Sequence, residues 1–343
     1  MNIKKAIKKV VNLKSLTQKE AYMVFKDIMN GKATSAQIGA LVTALRMKGE
    51  TADEITGAAR VMREKVLKVK AGTKREVLDT CGTGGTGRGA FNISTTASFV
   101  LAGCGVKVAK HGNRAASSHC GSADVLEELG VKVDVPVKVT EKSIKSINIG
   151  FMFAPLFHGA MKHAIGPRRE IGVRTIFNIL GPLSNPASAT CQVLGVYDEK
   201  LTVLMAEALK KLGTRRAYVV HGKDGLDEVT ITGETVVTEL KGGKIRTYTI
   251  SPKDFGLKRT SFKNIKGGTV KLNAKAVKSV LSGGKGPKRD IVLMNSALAL
   301  MAAGKAKSLK QGVKLASSSI DSGEALNKLK ELICMTGSRR KSR

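Results

Sequence analysis

From residue 76 the chain repeatedly runs through an apolar stretch of strand length into a segment of helix length, and the first junction is dense in glycine. "EVLDTCGTGG" reads as a buried strand entering a loop, and "NISTTASFVLAGCG" as a helix closed by glycine. "VKVAKHG" is the next strand, "GSADVLEELG" a helix, "VKVDV" a short strand, "VTEKSIKSIN" a helix and "IGFMFAP" another apolar strand. Strands separated by helices cannot be hairpins. They predict an α/β fold with a mostly parallel sheet flanked by helices.

The alternation resumes with the strand "CQVLGVY", the helix "EKLTVLMAEALKKLG" and the strand "RAYVVHG". "EVTITGETVVTEL" and "GGKIRTYTI" alternate with period two, which predicts antiparallel strands or a hairpin. Three helices follow, around "LNAKAVKSVLSGG", "KRDIVLMNSALALMAAG" and "LKQGVKLASSSIDSGEALNKLKELICM". No internal repeat is visible at the periods of repeat proteins.

Residues 1 to about 70 carry no strand signal. "LTQKEAYMVFKDIMNGK" places Thr17 as N-cap, Glu20 three residues on and Gly31 at the stop. "TSAQIGALVTALRMKGE" repeats that pattern, and "TADEITGAARVMREKV" gives a further helix with Thr51 and Glu54. This predicts a small helical domain over 1–72. Residues 155–185 read as helical again and are expected to complete it, leaving 73–154 and 186–343 as the large domain.

The formal net charge of +32 is the unusual global property. It would suit a nucleic-acid binder, but the lysines spread over nearly every segment and no aromatic residues interleave with them. A lysine-rich surface is the better reading, with weak, non-specific nucleic-acid binding at low salt as its consequence. The basic tail "GSRRKSR" reads as a solvated end. The five cysteines show no close pairing, which argues against a disulfide framework and a zinc site, and for a reducing compartment. No apolar run approaches the ~18 residues of a membrane span, and no secretory signal is visible. A cytoplasmic soluble protein is expected.

Several positions could carry chemistry. Gly82-Thr83-Gly84-Gly85-Thr86-Gly87 lies between a strand and a helix, where backbone N–H groups and a helix N-terminus can cradle a phosphate. A tight turn would use the same residues. Asn92, Ser94 and Thr95 open the next helix and read either as caps or as phosphate or metal-water ligands. Lys110-His111-Gly112-Asn113-Arg114 ends a strand, where open α/β sheets collect ligands, and Lys110 and Arg114 could hold a phosphate. Ser117, Ser118 and His119 sit in a second polar loop. Asp227-Glu228 follows "RAYVVHG", and adjacent carboxylates at a strand end suit Mg²⁺. Arg168, Arg169 and Arg174 could clamp a carboxylate, or form a basic helix face. His158 and His163 have no metal-ligand spacing and read as structural or substrate-contacting.

Taken in order, "CGTGG", "FNIST", "VAKHGNR", "SSHCGSADVLEELG", "GPRREIGVRTIFNILGPLSNP" and "HGKDGLDE" resemble the anthranilate phosphoribosyltransferase family across nearly the whole chain. Any one motif is weak; six in register are specific. The resemblance implies a small helical domain beside a large α/β domain, usually in a homodimer. It implies transfer of phosphoribose from 5-phosphoribosyl 1-diphosphate (PRPP) to the amine of anthranilate, with Mg²⁺ as cofactor. It places PRPP on Gly82, Thr83, Gly84, Gly85, Thr86, Asn92, Ser94, Thr95, Lys110 and Ser122. It places anthranilate against Gly82, His111, Asn113, His158, Arg168 and Gly181, and metal at Ser94, Asp227 and Glu228. No residue is singled out as an acid or base; Lys110 and the metal would stabilise the transition state. The chain departs from the family pattern at Thr86, where an aspartate is usual, and at Gly159, where proline is common. The alternatives are a pyrimidine-nucleoside phosphorylase of similar fold and a non-catalytic nucleic-acid-binding relative.

Overall fold

A computed structural model describes residues 1–72, 76–85, 87–115 and 120–337. Thr86, Ser117, Ser118, His119 and the tail 338–343 therefore lie outside the described residues. Four helices come first: α1 (Ile3–Val11), α2 (Gln18–Met29), α3 (Ser35–Lys48) and α4 (Ala52–Lys65). The starts of α2, α3 and α4 follow the caps read from the sequence, while α1, capped by the Asn2 side chain, has no counterpart in that reading. Thr17 with Glu20, and Thr51 with Glu54, each form a reciprocal capping box, and Thr34 with Gln37 forms a third. Gly31 follows the end of α2 at a φ of +74°, a left-handed conformation that glycine adopts without penalty.

Glu54 does more than cap. It is fully buried and accepts from the Leu16 N–H at 2.8 Å, the Thr51 N–H at 2.8 Å and Lys48 Nζ at 3.0 Å. One carboxylate thus ties the α1–α2 connection, α3 and α4 together.

The remainder is α/β: β1 (Val77–Gly82), α5 (Ile93–Gly103), β2 (Lys107–Gly112), α6 (Ser122–Glu128), α7 (Val137–Ile147), β3 (Ile149–Phe153), α8 (Ala154–Phe157), α9 (Lys162–Ile171), α10 (Phe177–Leu180), β4 (Cys191–Gly195), α11 (Leu201–Lys211), β5 (Arg216–Gly222), β6 (Thr235–Lys241), β7 (Lys244–Ile250), α12 (Val270–Leu281), α13 (Pro287–Ala302), α14 (Leu309–Asp321) and α15 (Glu324–Gly337). The strands form one sheet in the order β3-β2-β1-β4-β5-β6-β7. β1 to β5 are parallel, and β6 and β7 add an antiparallel hairpin at one edge.

Alternate side chains of the central strands serve two cores. Cys191, Val193, Tyr218 and Val220 join α5, α13 and α14 in one cluster. Leu194, Val196, Ala217 and Val219 point the other way and share a cluster with α1 to α4 and α11. Ala164, Ile176, Phe177 and Leu183 belong to that second cluster, with Phe177 edge-on to Phe25 at 5.8 Å. The 155–185 stretch therefore buries its apolar residues against the N-terminal helices.

Three sequence expectations need correction. "VKVDV" is not a strand: the Val131 N–H closes the end of α6 on the Leu126 carbonyl, and the Lys132 N–H donates to Thr336 Oγ1. Val131 and Val133 still bury their side chains, which is why the alternation looked strand-like. "EVTITG" is a loop, and the hairpin begins only at Thr235. The last expected helix is two, parted at Ser322 and Gly323, whose φ is +81°.

The buried Lys48–Glu54 contact gives a stability prediction. Glu54→Ala strands Lys48 and two N–H groups, so it should cost about 3–5 kcal/mol of unfolding free energy. Guanidinium denaturation followed by far-UV circular dichroism measures this, and a loss no larger than that of a partly exposed capping-box residue such as Glu20 would count against it.

Candidate active site

The strand order places a topological switch point between β1 and β4: the chain runs from β1 to β2 on one side, then returns to lay β4 on the other. Ligands in open α/β sheets bind in the crevice beyond the strand ends at such a point. The ends here are Gly82 and Gly195, which pair across the sheet.

Both glycines are required by a close approach. A Cβ on Gly195 would lie 1.7 Å from the Asp227 carbonyl oxygen, and one on Gly82 would lie 2.4 Å from Asp227 Oδ2. The pair forms a seat for Asp227, which reaches over the sheet end to accept the Gly84 N–H at 2.9 Å. Glu228 turns the other way and accepts the Ser94 N–H, at the start of α5, at 3.2 Å. The glycine loop, the α5 N-terminus and the acidic pair thus meet at one place.

Thr83 anchors the loop: its N–H donates to the Gly195 carbonyl, and its hydroxyl accepts from the Tyr197 N–H at 3.1 Å. Arg174 spreads over the Tyr197 ring at 4.3 Å and donates to the Gly85 carbonyl. It braces the glycine loop, so it is not available as the second half of a carboxylate clamp with Arg168.

Lys110 is buried beneath the crevice. Its ammonium donates to the Thr80 carbonyl at 2.6 Å and to Ser94 Oγ at 3.4 Å. Burial lowers its pKa; Asp79 and Glu228 oppose that shift. Asp79, fully buried in β1, accepts the Asn185 side-chain amide at 2.7 Å and the His111 N–H at 3.2 Å. Burial raises its pKa against the attraction of Lys110. Burial likewise raises Asp227, and pushes Glu228 up to about 8 with Asp227 adding repulsion.

His111 and His158 are buried with their Nε2 atoms 3.1 Å apart, and the Gly181 backbone is a hydrogen-bond partner of the His111 ring. Burial pulls His111 down to about 3 and His158 to about 4. At neutral pH the pair is uncharged, one ring donating and the other accepting.

Arg168 lies half-buried on α9. Burial lowers its pKa, and it has no hydrogen bond or ion pair among the described residues. Arg169 is exposed, and His163 packs against Gly31. Arg114 is spent on α6, holding both Glu127 oxygens and Asp124. Asn113 is exposed; its carbonyl accepts from the Ala123 N–H at 3.1 Å and from Ser122 Oγ at 3.2 Å.

Asn92 does not cap α5 with its side chain. Its amide donates to the Cys120 and Gly121 carbonyls and accepts from Asn273 at 3.1 Å, joining the glycine-loop side to the loop before α6. Thr95 is buried one residue beyond Ser94. Asp79, Asn185 and Asn273 were absent from the sequence-derived set. A carboxylate inside the apolar strand "VLDTCG" was the available signal for Asp79.

The donor set suits Mg²⁺. No group of three His, Cys, Asp or Glu side chains that could hold a metal occurs among the described residues. Two adjacent carboxylates that burial biases toward protonation are a partial, hard-oxygen shell of the kind Mg²⁺ completes with water and substrate phosphates.

The helical bundle domain of the glycosyl transferase family matches residues 4–66, and the a/b domain of the same family matches residues 74–326. The anthranilate phosphoribosyltransferase of Citrifermentans bemidjiense is 55% identical over 347 aligned positions, covering 97% of this chain and 99% of that protein. That of Moorella thermoacetica is 57% identical over 96% of this chain and 97% of its own. The chain belongs to the anthranilate phosphoribosyltransferase family. The family's fold is shared in three dimensions. The enzyme from Thermus thermophilus superposes with a TM-score of 0.91 at 42% identity, covering 97% of this chain and 99% of that one. The enzyme from Saccharomyces cerevisiae in complex with PRPP and Mg superposes with a TM-score of 0.89 at 29% identity, covering 98% of each.

Burial of Glu228 has a pH signature. The unfolded carboxyl ionises near 4.5, whereas the folded one keeps its proton up to about 8. Between those values the folded state holds the extra proton, so its stability falls as pH rises. Glu228→Gln removes that cost. Without metal, the variant should melt above the wild type by a margin that widens from pH near 4.5 to about 8. A scan of melting temperature against pH tests this, and a margin that stays flat or shrinks would contradict it.

Proposed function

We propose that the crevice above Gly82 and Gly195 is where this chain transfers the phosphoribosyl group of PRPP to the amine of anthranilate, releasing pyrophosphate and N-(5-phosphoribosyl)anthranilate. The observation that carries the reading is the acidic pair seated against both the glycine loop and the start of α5, 2.9 Å and 3.2 Å from their N–H groups. Carboxylates placed among anion-binding amides need a cation and a phosphate to complete them.

On this reading PRPP lies along Gly82, Thr83, Gly84 and Gly85, with Ser94, Thr95 and Ser122 beside it and Lys110 beneath. Thr86 joins that set from the sequence. Asn92 contributes by holding the wall formed by the loop before α6. Asp227 and Glu228, with Ser94, would hold Mg²⁺. Mg²⁺, when bound, supplies positive charge against the pyrophosphate as it departs. Lys110 adds charge from below, and the loop amides are already oriented, so little reorganisation is needed as that charge grows.

Anthranilate fits the other side of the crevice. The half-buried guanidinium of Arg168, unpaired among the described residues, supports a role in receiving its carboxylate, with Asn113, Gly181 and the His111–His158 pair around the ring. The aryl amine is neutral and nucleophilic at pH 7, so orientation toward the ribose carbon is the main demand. The neutral histidine pair meets it without adding charge beside an incoming amine. A homodimer is also proposed, supported by the exposure of Val11 and Met47 on the N-terminal helices and of Leu13 in the turn after α1. A cytoplasmic setting is proposed as well, and no helix among the described residues is long and apolar enough to cross a membrane. The charge of +32 supports weak nucleic-acid binding as a side effect.

Loss of anthranilate fluorescence on mixing with PRPP and Mg²⁺ tests the activity; no turnover, with phosphorolysis of uridine instead, would overturn it. Arg168→Ala should raise the KM for anthranilate on the order of tenfold or more while leaving that for PRPP within about twofold. Equal effects on both would remove Arg168 from the carboxylate site.

A further inference from the structure

Asp227 and Glu228 sit on a loop that belongs to no strand, although a metal pair must be held firmly. The residue that follows them, Val229, is fully buried and has no strand partner. A side chain takes that place. Asn295, in the middle of α13 and itself buried, accepts the Val229 N–H through Oδ1 at 2.9 Å and donates Nδ2 to the Val229 carbonyl at 2.9 Å. The same Nδ2 donates to the Ile291 carbonyl one turn back along α13, also at 2.9 Å, which fixes the amide's orientation.

Asn295 thus pairs with Val229 as a neighbouring strand would, but from a helix packed against β4 and β5. Its side chain lines the same small internal gap as Glu228, Ser94 and Thr80. The loop is pinned on its far side as well. Asp224 Oδ2 accepts from the Thr230 hydroxyl at 2.6 Å and from the Thr232 hydroxyl, and the Thr230 N–H donates to Thr235 Oγ1 at 2.9 Å.

We propose that Asn295 is the positioning residue of the acidic pair, setting the separation of Asp227 and Glu228 through the backbone of Val229 without touching metal or substrate. This rests on the reading that the pair holds Mg²⁺. Partners beyond the ligands of a metal site typically change metal affinity about 10–100-fold when removed. Asn295→Ala removes all three hydrogen bonds, and Asn295→Ser is the milder variant should the first not fold.

The measurements are initial rates against Mg²⁺, PRPP and anthranilate, thermal melting, and amide hydrogen exchange at Val229 in metal-free protein. Half-saturating Mg²⁺ should rise about 10–100-fold in a folded variant, with the KM for anthranilate within about twofold and the maximal rate largely restored by excess metal. Val229 should exchange as slowly as the core strands in the wild type and faster in the variants. A folded variant with wild-type Mg²⁺ dependence overturns the proposal, as does a variant that is less stable and otherwise unchanged. If neither variant folds, rapid exchange at Val229 in the wild type overturns it and slow exchange supports it. Asp227→Asn serves as the reference. If it too leaves the Mg²⁺ dependence unchanged, the metal reading itself has failed; if it alone shifts it, only the role of Asn295 has.

Discussion

Lys110 is a cation buried beneath the crevice at the ends of β1 and β4, and much of the site depends on how that charge is accommodated. Burial works against its ammonium, while Asp79 below and Glu228 above work for it. Both acids are themselves pushed toward neutrality by burial. Each charge would be costly alone at this depth, so the three protonation states are linked, and ionisation of either acid favours the ammonium. Asp79 then passes its constraint outward, through Asn185 to the 155–185 segment and through the His111 N–H to the histidine pair. A change at the floor is felt at the histidine pair.

The helical domain serves this arrangement from a distance. Its core is continuous with one face of β4 and β5, and the 155–185 stretch that carries His158, Arg168 and Arg174 is packed against it. Two hydrogen bonds stitch the following linker to this region, Leu67 N–H to the Phe157 carbonyl within the stretch and Val69 N–H to the Pro186 carbonyl just beyond it. Arg174 then crosses back to the glycine loop. The 155–185 segment and the glycine loop are therefore coupled through packing and one cation, with no long-range electrostatics required.

Much of this was legible in the sequence where the signal is local. Capping boxes are written in residues three apart, and Thr17 with Glu20 and Thr51 with Glu54 announced their helices. The parallel sheet followed from alternation, and the crevice from the run of glycine. What failed was information held by partners remote in sequence. "VKVDV" alternates as a strand does, but whether it pairs depends on what its N–H groups meet, and they meet α6 and α15. Asn92 and Arg174 were visible as polar groups near a site; that each binds other parts of the protein could be seen only with the fold in place. Asn295 lay in the apolar run "IVLMNSALALM", where a buried amide is a signal that went unread.

The seat made by Gly82 and Gly195 ties the history of three positions together. Either glycine can acquire a side chain only after Asp227 has shifted, its backbone for Gly195 and its carboxylate for Gly82, and on the metal-holding role proposed above that shift is open only to a lineage that no longer uses the carboxylate. Drift at the seat is therefore blocked until the chemistry is abandoned, and then it is released at two strands at once. In a descendant with the same fold and no transferase activity, bulkier residues at both strand ends would be the lasting trace of the loss.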